Sequence, residues 1–187
     1  MIYLFLAEGF EEVEAITPLD MLRRVGIPVT TVGVGGQVVK GAHDICITAD
    51  ITEDQVDFDV MSGVILPGGM PGTKNLEACE TVQKAIDICI NNQDLVAAIC
   101  AAPSILGHKG LLAGKKATCF PGFEKDCTGA NVLSQSVVTD GNIITARGAG
   151  CALSFGGAIV AYLKQDTDVA NQLLQDMQWN YEGHKRV

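Results

Sequence analysis

The sequence lacks the features that define several large classes of protein. No segment approaches the roughly 18 consecutive apolar residues that a membrane-spanning helix requires. There is no C-x-x-C pair, and seven cysteines are an odd number, so the pattern fits neither a zinc ribbon nor a disulfide framework. Unpaired cysteines are typical of a reducing compartment. We therefore expect a cytoplasmic protein without a structural metal.

Positive charge and nucleotide-binding loops are also scarce. The chain has 13 lysines and arginines against 22 acidic residues, a net charge of −9, which disfavours nucleic-acid backbones and anionic membranes as partners. No G-x-x-x-x-G-K-[ST] loop is present, and Gly33, Gly35 and Gly36 lack the full spacing of a dinucleotide fingerprint. We expect no nucleotide cofactor, no nucleic-acid partner and no membrane partner.

The sequence does contain a regular alternation of apolar strands and amphipathic helices. Its 187 residues, 48% of them hydrophobic, suffice for one domain with a sizeable core, residues 1–178, followed by a separable tail, 179–187. The first residues lack a basic segment and predict a strand, not a signal peptide. Predicted strands cover residues 2–6, 28–34, 37–40, 44–49, 57–66, 95–99, 116–120, 135–139 and 143–146. Predicted helices cover residues 11–25, with a kink or a short first segment at Pro18, and 75–91, the segment after 103, 151–164 and 167–177.

This order predicts an α/β sandwich with a mostly parallel, right-handed sheet between layers of helices. In such a sheet, sites form beyond the carboxyl ends of the strands. Four loops should therefore lie together, at residues 8–14, 67–72, 100–103 and 147–150.

The most informative stretch is residues 95–103, Leu-Val-Ala-Ala-Ile-Cys-Ala-Ala-Pro. A strand ends at Cys100, and Pro103 suits the first turn of a helix. This corner resembles a nucleophile elbow with cysteine in place of serine. Because backbone N–H groups at a helix start favour a thiolate and can hold an oxyanion, we expect a lowered pKa for the Cys100 thiol. The alternative is a buried structural cysteine.

Two other loops could assist the cysteine. Glu14 lies about one turn inside the first helix, where it is either a solvated surface residue or a buried acid with a raised pKa that contacts Cys100 and moves protons. Gly68 and Gly69 either let backbone N–H groups approach a substrate or an oxidised sulfur, or form an ordinary turn.

The three histidines do not support a Cys-His-acid triad. None directly follows Cys100, where a cysteine protease of this design would have one, and no H-x-E pair occurs late in the chain. We interpret His108 as a cation at a helix end and His184 as a tail residue.

Together these motifs resemble the ThiJ/PfpI family, specifically its branch around the parkinsonism-associated deglycase. The resemblance spans essentially the whole chain and rests on four motifs in the family's order, at residues 11–14 (Glu-Glu-Val-Glu), 64–69 (Val-Ile-Leu-Pro-Gly-Gly), 97–103 and 146–150 (Ala-Arg-Gly-Ala-Gly). It implies a flavodoxin-like, amidotransferase-like α/β/α sandwich that is usually a homodimer.

The resemblance also implies roles for individual residues. Cys100 would be a reactive, oxidation-prone nucleophile, and Glu14 would be its protonated partner acid. The other implied or possible pocket residues are Gly68, the backbone oxyanion donors Gly69 and Ala101, Arg24 of a second copy, His43, Arg147 and Gly148.

One loop departs from the family pattern. The branch often has a histidine in the loop of residues 118–121, and Phe120 occupies the matching position here. The absence of this histidine weakens the expectation of efficient glyoxalase or protease chemistry. Cys119, in the same loop, is either a resolving cysteine or a residue that fills space, and we favour the second interpretation.

Three functions follow. The first is a cofactor-free enzyme that acts on methylglyoxal-like α-oxoaldehydes or early glycation adducts of proteins, with the Cys100 thiolate attacking and Glu14 relaying a proton. The second is an oxidative-stress sensor or redox-regulated chaperone in which Cys100 is oxidised to sulfinate. A cysteine peptidase is the weakest alternative, because Ala101 stands where a histidine is expected.

Overall fold

The computed structural model describes residues 1–179; the remainder of the predicted tail lies outside the described residues. The strands are β1 Ile2–Ala7, β2 Val29–Val34, β3 Val38–Lys40, β4 Cys46–Thr48, β5 Ile51–Thr52, β6 Gly63–Leu66, β7 Leu95–Ile99, β8 Lys116–Ala117, β9 Asn131–Val132, β10 Val137–Asp140 and β11 Ile143–Ala146. The α-helices are α1 Glu12–Arg24, α2 Gly72–Ala78, α3 Glu80–Asn92, α4 Pro103–His108, α5 Ala152–Lys164 and α6 Thr167–Asp176. Among the described residues, no helix is long and apolar enough to cross a membrane.

Seven strands form the central sheet, in the order β10-β11-β7-β6-β1-β2-β5. Within residues 1–179, every pairing in this sheet is parallel except that between β10 and β11. Strands β1 and β7 are buried along their whole length, as expected for parallel strands covered on both faces. The predicted α/β fold with a mostly parallel sheet is confirmed.

The side chains of β1 alternate between two apolar cores, one on each face of the sheet. Leu4 and Leu6 pack into the core that includes residues of α1, α5 and α6. Phe5 and Ala7 point the other way, into the core that includes residues of α3 and α4. Since successive side chains of a strand point to opposite faces, a fully apolar strand joins both helical layers.

Several predicted boundaries are wrong for local reasons. The strand predicted at 57–66 is confined to β6, because the Asp57 side chain accepts a hydrogen bond from the Asp59 backbone N–H and opens a 3-10 turn. The helix predicted at 75–91 is two helices, since the backbone of Cys79 is extended. Pro18 does not shorten α1, which runs without interruption.

The short strands were the least predictable elements. The strand predicted at 116–120 has only the two residues of β8, and the strand predicted at 135–139 is displaced to β10. Strands β5 and β9 were not predicted, because two residues are too few for an alternating pattern. By contrast, α5 and α6 match their predicted ranges to within one residue at each end.

Candidate active site

The four predicted loops lie side by side at one edge of the sheet. They follow β1, β6, β7 and β11, which are neighbouring parallel strands, so their carboxyl ends meet. Backbone hydrogen bonds connect the loops: Cys100 N–H donates to the Ala146 carbonyl (2.9 Å), and Glu11 N–H donates to the Gly68 carbonyl (3.0 Å). The sheet thus brings Cys100 close to residues far from it in sequence.

Cys100 occupies a sharp corner between β7 and α4. Its φ of 65° lies in the left-handed region, which costs a non-glycine residue roughly 1–2 kcal/mol. The corner is held by the bond to Ala146 and by a second bond, in which Phe120 N–H donates to the Cys100 carbonyl (2.8 Å). The structure therefore contains the predicted elbow, with the sulfur only partly buried.

Two backbone amides lie beside the sulfur of Cys100. The N–H groups of Gly69 and Ala101 both donate to the Cys100 side chain, and these hydrogen bonds oppose the rise in its pKa that burial causes. Gly69 adopts a φ of 89°, and a Cβ there would collide with the backbone of the loop after β1. This position therefore requires glycine, and the amides that it and Ala101 present can stabilise negative charge at the sulfur.

Glu14 is buried beside Cys100, with 1% of its surface exposed. Its Oε2 accepts a hydrogen bond from Gly68 N–H (2.9 Å). A Cβ at Gly68 would lie 2.6 Å from Cys100 Cβ and 2.7 Å from Glu14 Oε2, so only glycine leaves room for the acid and the thiol to meet. Glu14 is therefore not the solvated surface residue that its helical position alone would allow.

The pKa values of these two groups are linked. Burial raises the pKa of Glu14 from 4.5 to about 7, although hydrogen bonds from Cys100 and Gly68 oppose the shift. Burial, the charge of Glu14 and the hydrogen bond to Glu14 together raise the pKa of Cys100 to about 12. The expected lowering of the thiol pKa is thus wrong, because burial and a neighbouring carboxylate outweigh the two amides. Between about pH 7 and about pH 12 the pair holds one proton, which stays on the thiol while Glu14 is ionised.

Phe120 lies at the mouth of this site. A Cβ at Gly148 would be 3.2 Å from the Phe120 ring and 3.8 Å from Glu14 Oε1. Phe120 is 46% exposed and offers no titratable group near the acid. Gly148 is the predicted pocket residue that leaves space for both side chains.

Cys119 and Arg147 lie together beside the next loop. Cys119 is buried and its thiol contacts Cys127, not Cys100. The Arg147 guanidinium donates to the Ser134 carbonyl (3.4 Å) and, with Cys119, lines a cavity of about 380 Å³. Cys127 was not singled out from the sequence, because no spacing pattern relates it to Cys119.

His43 forms a second polar cluster with two acids of the loop after β1. Its Nδ1 lies 2.9 Å from Glu12 Oε2 and 3.5 Å from Glu11 Oε2. Glu12 is buried and also accepts hydrogen bonds from the backbone N–H groups of His43 (2.8 Å) and Ile45 (3.4 Å). The ligand atoms of the three side chains lie within 4.8 Å of one another and could hold a metal. Because Glu12 accepts these hydrogen bonds, it holds the loop before β4 in place, and we call this arrangement the clamp.

The remaining predicted residues lie elsewhere or have other partners. Arg24, in the last turn of α1, pairs through Nε with Asp20 (2.7 Å). His108 Nδ1 lies 2.6 Å from Glu77 Oε1, so it has an acidic partner at the end of α4. Among the described residues, no hydrogen bond or ion pair joins a histidine to Cys100.

Comparison with known proteins gives the family. The sequence matches the DJ-1/PfpI family over residues 1–162. The chain belongs to the DJ-1/PfpI family. Deglycase PfpI of Pyrococcus furiosus, a family relative, is 33% identical over 167 residues, which cover 86% of this chain and 98% of that protein. The recognition of the ThiJ/PfpI family from sequence motifs is confirmed.

Two other comparisons describe how far the similarity extends. The crystal structure of Drosophila melanogaster DJ-1beta superposes with a TM-score of 0.90 at 33% identity, covering 96% of this chain and 98% of that one. Protein DJ-1 homolog B of Arabidopsis thaliana is 34% identical over 97% of this chain. The chain spans about half the length of that relative, 46%.

Proposed function

We propose that the chain is a cysteine-dependent enzyme that acts on methylglyoxal-like α-oxoaldehydes or on early glycation adducts of proteins. The observation that carries this proposal is the hydrogen bond between the Cys100 thiol and buried Glu14, at a sulfur to which two backbone amides also donate. The existence of relatives named deglycases supports the same chemistry.

The first step is addition of the Cys100 sulfur to the aldehyde carbon. As the C–S bond forms, the thiol proton passes to Glu14, and the carbonyl oxygen takes the negative charge. The amides of Gly69 and Ala101 can stabilise that oxygen, because the carbon that bears it is attached to the sulfur. Glu14 then returns the proton to the oxygen, and the product is a hemithioacetal.

The second step moves two protons within the substrate. Glu14, now ionised, removes the proton from the hemithioacetal carbon and delivers it to the neighbouring carbonyl carbon. The hydroxyl proton passes to the oxygen of that carbonyl, which leaves a thioester of lactate on Cys100. Water then hydrolyses the thioester to lactate and free thiol. One carbon is oxidised while its neighbour is reduced, so the balance of the reaction requires no external electron acceptor and no organic cofactor.

The decisive experiment measures methylglyoxal consumption and lactate formation without glutathione. Wild-type protein should convert methylglyoxal to lactate in equal amounts, and Cys100→Ser should abolish conversion. Cys46→Ser, which alters an exposed cysteine of β4, is the matched control and should retain it. Turnover that survives in Cys100→Ser, or its absence from the wild type, would refute the proposal.

A second function is an oxidative-stress sensor or redox-regulated chaperone. It is favoured by Phe120, which supplies no base, and by the amides of Gly69 and Ala101, which could bind the oxygens of a sulfinate. Mild peroxide should then oxidise Cys100 selectively and change the suppression of client aggregation, with little aldehyde turnover. Unchanged chaperone activity after oxidation would exclude this function.

We also propose a cytoplasmic homodimer in which Arg24 of a second copy lies near the site. Sedimentation across a concentration series tests the dimer, and a monomer at all concentrations would remove Arg24 from the proposal.

A further inference from the structure

Cys119 and Cys127 form a buried pair of thiols outside the candidate active site. Only 4% of Cys119 and 2% of Cys127 is exposed, and both are free cysteines. Their side chains are hydrogen-bonded, with the Cys119 S–H donating to the Cys127 sulfur. Seven free cysteines are present in the chain, and these two are in direct contact with each other.

The loop that joins the two cysteines is held at both ends. Beside Cys119, Phe120 N–H donates to the carbonyl of Cys100 (2.8 Å). At the other end, the backbone around Cys127 packs so closely on α4 that a Cβ at Gly107 would lie 2.7 Å from Cys127 Cα. Since both anchors belong to the elbow and its helix, the contact between the sulfurs is a fixed feature of the fold.

The surroundings of the pair suit reaction with a small oxidant. The hydrogen bond from Cys119 lowers the pKa of Cys127, so the pair can lose its first proton readily. The hydrogen bond to Cys127 and burial raise the pKa of Cys119, and the charge of Arg147 opposes that rise. Cys119 also lines the cavity of about 380 Å³ that contains Arg147 and Glu124. Cys119 is therefore the member of the pair that lies beside a hydroperoxide entering this cavity.

We propose that Cys119 and Cys127 are a reversible thiol–disulfide couple, oxidised by hydrogen peroxide or a small organic hydroperoxide. The pair first loses one proton to solvent, the remaining proton moves to Cys127, and the Cys119 thiolate attacks one peroxide oxygen. The O–O bond breaks, which gives a sulfenic acid on Cys119 and a hydroxide that takes the Cys127 proton to form water. The Cys127 thiolate then attacks the Cys119 sulfur and displaces the second oxygen, which leaves as water with a proton from solvent. Two thiols are oxidised to one disulfide, and one peroxide is reduced to two waters.

This assignment differs from both sequence-based interpretations of Cys119. A filler residue would not contact a second thiol, and a resolving cysteine for Cys100 would contact Cys100. Cys127 is the partner that the fold supplies.

The test uses wild-type protein, hydrogen peroxide and peptide mapping. Free thiols are alkylated under denaturing conditions after oxidation, and the protein is digested with trypsin. Lys125 lies between the two cysteines, so cleavage separates peptide 117–125 from peptide 126–147. We expect these two peptides to remain joined without reductant, to separate with dithiothreitol, and to lose alkylation of Cys119 and Cys127 in equal measure.

Two variants make the result specific. Cys127→Ser should abolish the cross-link, whereas Cys89→Ser, which changes a buried cysteine of α3, should leave it intact. The peptide map of the wild-type protein tests the cross-link directly, so the proposal can be refuted even if Cys127→Ser does not fold. Full alkylation of both cysteines after peroxide has oxidised Cys100 would overturn it. A cross-link from peptide 117–125 to peptide 85–109, which contains Cys89 and Cys100, would also overturn it, because Cys119 would then pair with a cysteine other than Cys127.

Discussion

Glu14→Gln is expected to change how stability depends on pH. In the unfolded chain this carboxyl ionises near its ordinary pKa of 4.5, but burial in the folded protein raises the value to about 7. Between these values the unfolded chain releases a proton that the folded protein keeps, so stability falls as pH rises and the fall is complete above about pH 7. At about 1.4 kcal/mol for each pKa unit, the loss is about 3 kcal/mol.

Glutamine cannot ionise, but its side-chain oxygen can still accept the hydrogen bond from Gly68 N–H. The variant should therefore not lose this stability as pH rises. The difference in unfolding free energy between Glu14→Gln and the wild type should grow by about 3 kcal/mol in favour of the variant between about pH 4 and about pH 8.

Urea denaturation followed by circular dichroism at several pH values measures this difference. Glu8→Gln, which removes an exposed carboxylate from the same loop, is the matched control. Parallel stability curves for the wild type and Glu14→Gln would refute the reasoning, because they would mean that Glu14 ionises equally well in the folded and unfolded chains.

Two further predictions concern the edges of the site. Phe120→His should raise methylglyoxal turnover by at least about tenfold above pH 6.5, because an imidazole supplies a base at the mouth of the site; an equal gain in Phe120→Ala would show that only steric access had changed. In the clamp, the hydrogen bond to Glu12 raises the pKa of His43. The interaction between His43 and Glu12 therefore stabilises the folded protein fully at pH values below the ordinary histidine pKa, and this stabilisation is lost as pH rises through the raised pKa. The melting temperature of His43→Gln should therefore lie further below that of the wild type at about pH 5.5 than at about pH 9, and a gap independent of pH would contradict this.

The parts of the structure that the sequence predicted are those with a local cause. An apolar run followed by Cys-Ala-Ala-Pro is sufficient to predict β7, the corner at Cys100 and the start of α4. The meeting of Glu14 with Gly68 could also be anticipated, since parallel neighbouring strands bring their carboxyl ends to one edge. These inferences needed only periodicity, turn chemistry and the topology rules of parallel sheets.

The parts that could not be predicted depend on distant contacts. The pKa of Cys100 is set by how deeply the loops bury it and by a carboxylate from another strand end, whereas the local signal contained only the helix-start amides. The contact of Cys119 with Cys127 arises in a loop without periodicity. The clamp of Glu12 on His43 requires the exact fold of residues 41–45, which no local pattern specifies.

Under the proposed function, the left-handed backbone at Cys100 places reactivity and folding in competition at a single residue. Glycine adopts a φ of 65° without a steric penalty, so a chain selected only for thermal resistance gains by replacing this cysteine. Selection for chemistry acts in the opposite direction, because glycine has no sulfur. Engineering programmes that raise the melting temperature of this fold without assaying the thiol should therefore be expected to lose it.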